Sequence, residues 1–231
     1  MSYVFPPPEQ AATAVRGRAE RFPVRRIFCV GRNYAAHARE MGRDPDREPP
    51  FFFTKPADAV VPAGGTIPYP PETENFHYEG ELVVAVGKGG HDIAPEDVAD
   101  HLWGATVGLD MTRRDLQLEA RDKGRPWDWG KAFDHSAPLA PLVPMAEVPS
   151  LTEGRIWLKV NGETKQEADL ADLIWPVAEH VSILSRSMTL APGDLIMTGT
   201  PAGVGAVVPG DVITAGIDGL AEMEITIGDR A

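Results

Sequence analysis

Apolar residues in this chain fall into short runs punctuated by glycine and proline, which number 23 and 22 and are spread along its length. That texture belongs to an α+β, strand-rich fold with many turns. The runs predict strands over residues 27–30, 51–54, 81–87, 105–109, 156–160, 195–198, 212–215 and 223–227. Most alternate in part, but Leu82-Val83-Val84-Ala85-Val86 is apolar throughout, which predicts a strand buried on both faces. Asn161-Gly162 sits between two such runs; both residues tolerate positive φ, so a tight hairpin is expected there. Pro192-Gly193-Asp194-Leu195-Ile196 and Pro209-Gly210-Asp211-Val212-Ile213 reuse one turn-then-strand pattern.

Helices are few. The first is predicted over 34–41, with Asn33 as its N-cap and Gly42 as its stop. The second begins after Asp110, where Thr112 and Asp115 make a partial capping box, and runs to about residue 121. The third has Pro176 in its first turn and a core-facing stripe of Val177, Val181, Leu184 and Met188. Residues 1–22 read as a proline-containing arm with room for a short helix, 23–231 as a single catalytic domain, and charged 44–50 as a flexible loop.

Charge narrows the partners. Lys and Arg total 22 against 34 Asp and Glu, a net charge of −12, which repels a phosphate backbone and leaves no basic stripe to follow one. The one cysteine, Cys29, lies inside an apolar run, so no intrachain disulfide is possible and a small buried hydrophobe is expected. The N-terminus lacks a charged segment followed by a long apolar core, and no run reaches membrane length, so a soluble cytoplasmic protein is expected.

Chemistry gathers at the ends of two strands. Glu79 and Glu81 are two apart at the mouth of the continuous apolar run, and residues i and i+2 of a strand share a face. Asp110 ends a second apolar run and joins them if the two strands are neighbours. Three carboxylates there require a cation, and an all-oxygen set selects Mg²⁺, Mn²⁺ or Ca²⁺; a solvated strand face is the plainer alternative. His37 and Glu40, three apart on the first helix, can hydrogen-bond, which orients an imidazole for proton abstraction; a surface ion pair explains the same spacing. Lys131 follows Trp127-Asp128-Trp129-Gly130 and could stabilise an enolate or simply lay its stem on a tryptophan. Asp134-His135-Ser136 holds three triad residue types, but adjacent residues cannot converge. The glycine-rich 199–205 has no phosphate-loop ending; a carboxylate nest and a tight turn both remain open.

Taken jointly, Gly31-Arg32-Asn33-Tyr34-Ala35-Ala36-His37, Phe53-Thr54-Lys55-Pro56, His77-Tyr78-Glu79-Gly80-Glu81-Leu82, the run Leu109-Asp110-Met111-Thr112-Arg113-Arg114-Asp115-Leu116-Gln117, and Thr198-Gly199-Thr200-Pro201-Ala202-Gly203-Val204-Gly205 resemble the fumarylacetoacetate hydrolase family, in the family's order. Residues 123–138 are most similar to its fumarylpyruvate and other acylpyruvate hydrolases. The resemblance implies a mixed β-sandwich roll, a homodimer, and Mg²⁺ or Mn²⁺, with Ca²⁺ able to substitute, on Glu79, Glu81 and Asp110. It also implies a lid carrying His37 and Glu40, oxyanion or enolate stabilisation by Lys131, and substrate contacts from Arg114, Gln117 and Thr200. No role for Lys55 follows, and Tyr78 stands where acylpyruvate-acting members often have a second histidine. The implied reaction is hydrolysis of a carbon–carbon bond in a 2,4-dioxo acid, fumarylpyruvate first. Alternatives are oxaloacetate decarboxylation, isomerisation of 2-hydroxyhepta-2,4-diene-1,7-dioate, and a non-catalytic cation-binding interaction domain.

Overall fold

Alternating and non-alternating strands end up in different sheets of the computed structural model, which describes residues 2–35 and 48–231. The larger, eight-stranded sheet runs in the order Phe51–Lys55, Arg26–Gly31, Asp194–Met197, Gly80–Val86, Leu102–Leu109, Ala137–Leu139, Val60–Pro62, with Val143–Pro144 pairing alongside Leu102–Leu109. The second has five strands, Glu163–Asp169, Arg155–Val160, Val212–Ile217, Met223–Arg230 and Gly65–Tyr69. Both mix parallel and antiparallel pairs: Asp194–Met197 runs parallel to Arg26–Gly31 and antiparallel to Gly80–Val86.

The continuous apolar run has the physical cause expected of it. Leu82, Val84 and Val86 point into one core, shared with Val107 and Leu109 of the neighbouring strand and with Ile156, Leu158, Ile213 and Ile225 of the facing sheet. Val83 and Ala85 point the other way, into a second core with Ile27, Cys29, Leu195 and Met197 that is closed by Val15, Phe22 and Val24. Strand Gly80–Val86 is therefore buried at every residue, whereas Arg155–Val160 in the five-stranded sheet alternates because its other face is less enclosed. Cys29 is fully buried in the second core, and burial, reinforced by Asp110, pushes its thiol well above the ordinary range. It is an inert packing residue.

Turn chemistry follows the sequence closely. Asn161 and Gly162 have φ of 51° and 83° and close the hairpin on the Val160–Glu163 pair. The two Pro-Gly-Asp turns are built alike: Asp194 N–H donates to Ala191 O and its carboxylate accepts from Ala191 N–H, while Asp211 repeats both bonds with Val208. Their glycines, Gly193 and Gly210, sit at φ of 95° and 93°, where a side chain is strained.

Three expectations need correction. The described part of the N-terminal arm contains no helix; Ala12–Thr13 pairs with Phe22–Pro23 instead, because Val15 and Phe22 are more strongly stabilised on the second core than in an isolated turn of helix. Thr112 does not cap the second helix, Arg114–Asp122. It lies in a two-residue strand paired with Phe76–Tyr78, and Asp115 instead accepts bonds from Thr73 Oγ1 and Glu74 N–H. Met188 is not on the core stripe of helix Val177–Ser187: the chain turns extended at Met188, which is 42% exposed. The predicted helix over 34–41 and most of the charged 44–50 segment lie outside the described residues.

Leu158 is fully buried over the start of strand Gly80–Val86, its Cδ1 3.2 Å from where a Cβ on Gly80 would stand. Leu158→Ala is expected to cost about 2–5 kcal/mol by urea denaturation, the range for a large cavity in a rigid core. A loss under about 1 kcal/mol would show that the two sheets are less tightly joined than this contact requires.

Candidate metal centre and active site

Strand pairing brings the acids together. Gly80 pairs with Leu109 and Glu81 with Gly108, and Asp110 N–H donates to Glu79 O at 2.8 Å, so the two strand ends finish side by side. Glu79, Glu81 and Asp110 are all buried, at 5%, 2% and 1% exposure, and each offers an oxygen within 4.8 Å of the others. Opposed ligands on a hard dication stand about 4–5 Å apart, twice a bond of roughly 2.1–2.5 Å. The trio thus fits Mg²⁺, Mn²⁺ or Ca²⁺ and does not choose among them.

Buried charge of this density demands counterions, and three cations supply them. Lys131 Nζ donates to Glu79 Oε2 at 2.8 Å, Asp110 Oδ2 at 2.7 Å and Thr112 Oγ1 at 2.7 Å. Arg114 pairs with Glu79 Oε1 and donates to Gln117 Oε1. Lys55 Nζ stands 2.8 Å from Asp110 Oδ1 while donating to the carbonyls of Met111 at 3.1 Å and Lys131 at 2.5 Å. The Lys55 contact matches the charge of Asp110 Oδ1 without being aligned as a hydrogen bond, so among the described residues that oxygen has no hydrogen-bond partner. A buried acceptor with an open lone pair, inside an all-oxygen cluster, is what a resident cation would use.

Glu81 is matched differently. Its carboxylate accepts Gly199 N–H at 2.7 Å, and among the described residues no ion pair to it is found. Burial, then repulsion from Asp110 and Glu79, pushes its carboxyl well above the usual carboxylate range. Lys131 goes the other way. Burial disfavours its ammonium, but Asp110 and Glu79 outweigh burial and hold the proton more firmly than water would. At neutral pH it is a fixed positive charge, not a base.

The elements around the trio explain these positions. Arg114 and Gln117 are three apart on helix Arg114–Asp122, both buried and both on the wall of the chamber above the carboxylates. Thr200 also lines it, with its hydroxyl donating to Gly80 O and accepting from Gln166 Nε2. Gln166 Oε1 in turn accepts from Gly80 N–H. The glycine loop 199–205 is a tight turn that also binds a carboxylate, that of Glu81. Tyr78 points away from the acids and donates its hydroxyl to Gly203 O at 3.1 Å, holding that loop. His77 shares the Arg114 side, and burial followed by Arg114 lowers its pKa to about 4, so it is neutral at physiological pH.

Of the residues singled out from sequence, Glu79, Glu81, Asp110, Lys131, Arg114, Gln117 and Thr200 all line one chamber. His37 and Glu40 lie outside the described residues. Sequence reasoning missed three contributors. Lys55 is marked only by its Lys-Pro motif, Thr112 has the composition of a cap, and Gln166 carries no signal at all in the mostly polar strand Glu163–Asp169.

Comparison with known proteins places the chain in a family. The family model for the fumarylacetoacetate hydrolase C-terminal domain matches residues 26–228, so the chain belongs to that family. A fumarylpyruvate hydrolase of Ralstonia sp is 50% identical over 190 residues, covering 81% of this chain and 98% of that protein. The crystal structure of a fumarylpyruvate hydrolase from Pseudomonas aeruginosa in complex with Mn²⁺ and pyruvate superposes with a TM-score of 0.97 at 55% identity, covering 99% of this chain and all of that one. An oxaloacetate tautomerase of Arabidopsis thaliana is 43% identical over 206 residues, covering 89% and 92%.

Glu81 gives a test that needs no substrate. A carboxyl raised in the folded state favours folding below its unfolded pKa of about 4.3, and that contribution is lost as pH rises through the folded value. Mn²⁺ should therefore raise Tm, and by more at pH 8 than at pH 5. Glu81→Gln keeps an acceptor for Gly199 N–H but removes the unmatched charge. Its metal-free Tm at pH 8 should be unchanged or higher by a few degrees, at about 2–4 °C per kcal/mol, while its response to Mn²⁺ disappears. A full Mn²⁺ response in that variant would remove Glu81 from the site.

Proposed function

We propose that this member of the fumarylacetoacetate hydrolase family is a metal-dependent hydrolase that cleaves the carbon–carbon bond of a 2,4-dioxo acid, fumarylpyruvate giving fumarate and pyruvate. The observation that carries the reading is the buried carboxylate trio with the Lys131 ammonium laid across Glu79 and Asp110. Identities of 50% and 55% to fumarylpyruvate hydrolases support the choice of substrate. Glu79, Glu81 and Asp110 would hold Mg²⁺ or Mn²⁺, which when bound supplies chelation and polarisation of the 2-oxo acid end. We further read the protein as a cytoplasmic homodimer; among the described residues no helix is long and apolar enough to cross a membrane.

The chain's own residues then divide the work. Arg114 and Gln117 face the 2-oxo acid end from one wall, and Thr200 from another. His37, oriented by Glu40, takes a proton from a water molecule, and the resulting hydroxide adds to the distal carbonyl carbon. The tetrahedral adduct re-forms its carbonyl as a carboxylic acid while the neighbouring carbon–carbon bond breaks, and the electron pair of that carbon–carbon bond leaves as the enolate of pyruvate. The Lys131 ammonium faces the developing negative charge, already in place and already charged. Protonation of the enolate carbon completes the balance of one water consumed.

A second reading keeps the enolate chemistry and drops the attacking water, as oxaloacetate turnover would; it is favoured by the 43% identity to the tautomerase. The lower identity ranks it below hydrolysis. Purified protein with Mg²⁺ should bleach the ultraviolet absorbance of fumarylpyruvate, and His37→Ala should lower kcat by about 10²–10⁴-fold, the usual contribution of a general base. Unchanged cleavage in that variant removes the assigned base, and turnover of oxaloacetate alone transfers the protein to the second reading. Lys131→Met should lower kcat by about 10²-fold or more with a smaller change in KM, since its charge is felt mainly in the transition state.

A further inference from the structure

A single peptide group stands behind Glu81. Among the described residues the Glu81 carboxylate accepts a hydrogen bond from Gly199 N–H alone, at 2.7 Å. Its neighbours are held otherwise: Lys131 and Arg114 grip Glu79, and Lys131 and Lys55 grip Asp110. Whatever aims the Gly199 N–H therefore aims Glu81.

That N–H belongs to the Thr198–Gly199 peptide, and the oxygen of the same peptide is held from the opposite side. In a trans peptide the C=O and N–H point in opposite directions. Asn33 Nδ2 donates to Thr198 O at 2.8 Å, so one planar, trans group is engaged at its oxygen by Asn33 and at its hydrogen by Glu81. A carbonyl that accepts a hydrogen bond polarises its amide and strengthens the bond that amide donates. Gly199 has φ of 100°, and a Cβ there would stand 2.7 Å from Asn33 Cβ; glycine is what lets the peptide come this close.

Asn33 is itself fixed. It is fully buried two residues past the strand Arg26–Gly31. Its Oδ1 accepts from Trp175 N–H at 2.7 Å, its Nδ2 also donates to Trp175 O at 2.9 Å, and its backbone carbonyl accepts from Ile174 N–H at 2.8 Å. Exchanging Oδ1 and Nδ2 would set an oxygen against two carbonyls, so the amide has one orientation. A hydrophobic side chain or a shorter polar one at this position could not hold the three groups at once.

We propose that Asn33 is a positioning residue for the metal ligand Glu81, acting through the Thr198–Gly199 peptide, and that it sets the affinity of the centre for its dication without touching the ion. The inference rests on the metal reading of Glu79, Glu81 and Asp110 and adds to it the residue that orients the acid hung from one N–H. Partners that orient a metal ligand from outside commonly contribute about 10–100-fold to metal affinity.

The test titrates Mn²⁺ into the metal-free protein and follows the EPR signal of the free ion. Asn33→Ala should bind Mn²⁺ about 10–100-fold more weakly than wild type. Ile225→Ala, which opens a cavity in the core on the five-stranded sheet, controls for lost stability: its Tm should fall while its Mn²⁺ affinity stays that of wild type. Wild-type affinity in Asn33→Ala, or an equal loss in Ile225→Ala, overturns the proposal and leaves the metal reading standing. A wild type that takes up no Mn²⁺ removes the metal reading and this inference with it. If Asn33→Ala does not fold, NMR of the wild-type protein decides. The side-chain amide resonances of Asn33 should shift when Mg²⁺ binds, because the peptide they hold then donates to a Glu81 carboxylate fixed on the ion; resonances that stay in place overturn the proposal.

Discussion

The structure turns on holding three acidic side chains together in a place with almost no water. Isolated buried carboxylates would be far too costly, and each would take up a proton instead. Here Lys131 and Arg114 face Glu79, Lys131 and Lys55 face Asp110, and among the described residues no cation pairs directly with Glu81. Three acids and three bases balance formally, yet unevenly in space. The imbalance sits at Glu81, whose carboxyl is pushed well above the usual carboxylate range by burial and by its acidic neighbours. A dication placed among these oxygens would relieve that imbalance, which is why the arrangement reads as a metal centre and not as a self-sufficient ion-pair network.

Every large feature of the fold serves that corner. Two neighbouring strands must end together, and the N–H of Asp110 bonded to Glu79 O fixes their ends. Gln166 reaches from the second sheet to Gly80 and Thr200, coupling the five-stranded sheet to the carboxylate strand and to the glycine loop at once. Gly199 brings its N–H to Glu81, and Tyr78 holds the far side of the same loop. These bonds fix the first ring of side chains through a second ring, and acids placed this way lose little freedom when a ligand arrives.

Much of this was legible in sequence because it depends on local rules. Period-two arithmetic joined Glu79 to Glu81, and the non-alternating Leu82-Val83-Val84-Ala85-Val86 correctly announced two buried faces. Turn chemistry placed the Asn161-Gly162 hairpin and both Pro-Gly-Asp corners. What failed was long-range. The N-terminal arm is shaped by a core formed from strands far along the chain, so its local pattern could not reveal that it is extended. Thr112 has a cap's composition but a strand's position, since Phe76–Tyr78 competes for its backbone. Lys55 acts through Asp110, 55 residues away, and no periodicity links them.

The balance of charge also explains why Lys131 is suited to electrostatic work and unsuited to proton abstraction. A lysine base would need its pKa lowered towards neutrality, as burial alone would do. Asp110 and Glu79 reverse that effect, so the ammonium is retained through the whole accessible pH range. With the trio ionised and a dication bound, the cluster of three acids, Lys55, Lys131 and Arg114 would carry two positive charges. The enolate of pyruvate, counting its carboxylate, carries two negative ones, whereas the 2,4-dioxo acid presents only one at that end. The site is thus closer in charge to the species formed as the carbon–carbon bond breaks than to the substrate that enters, which is the condition for binding energy to appear as rate.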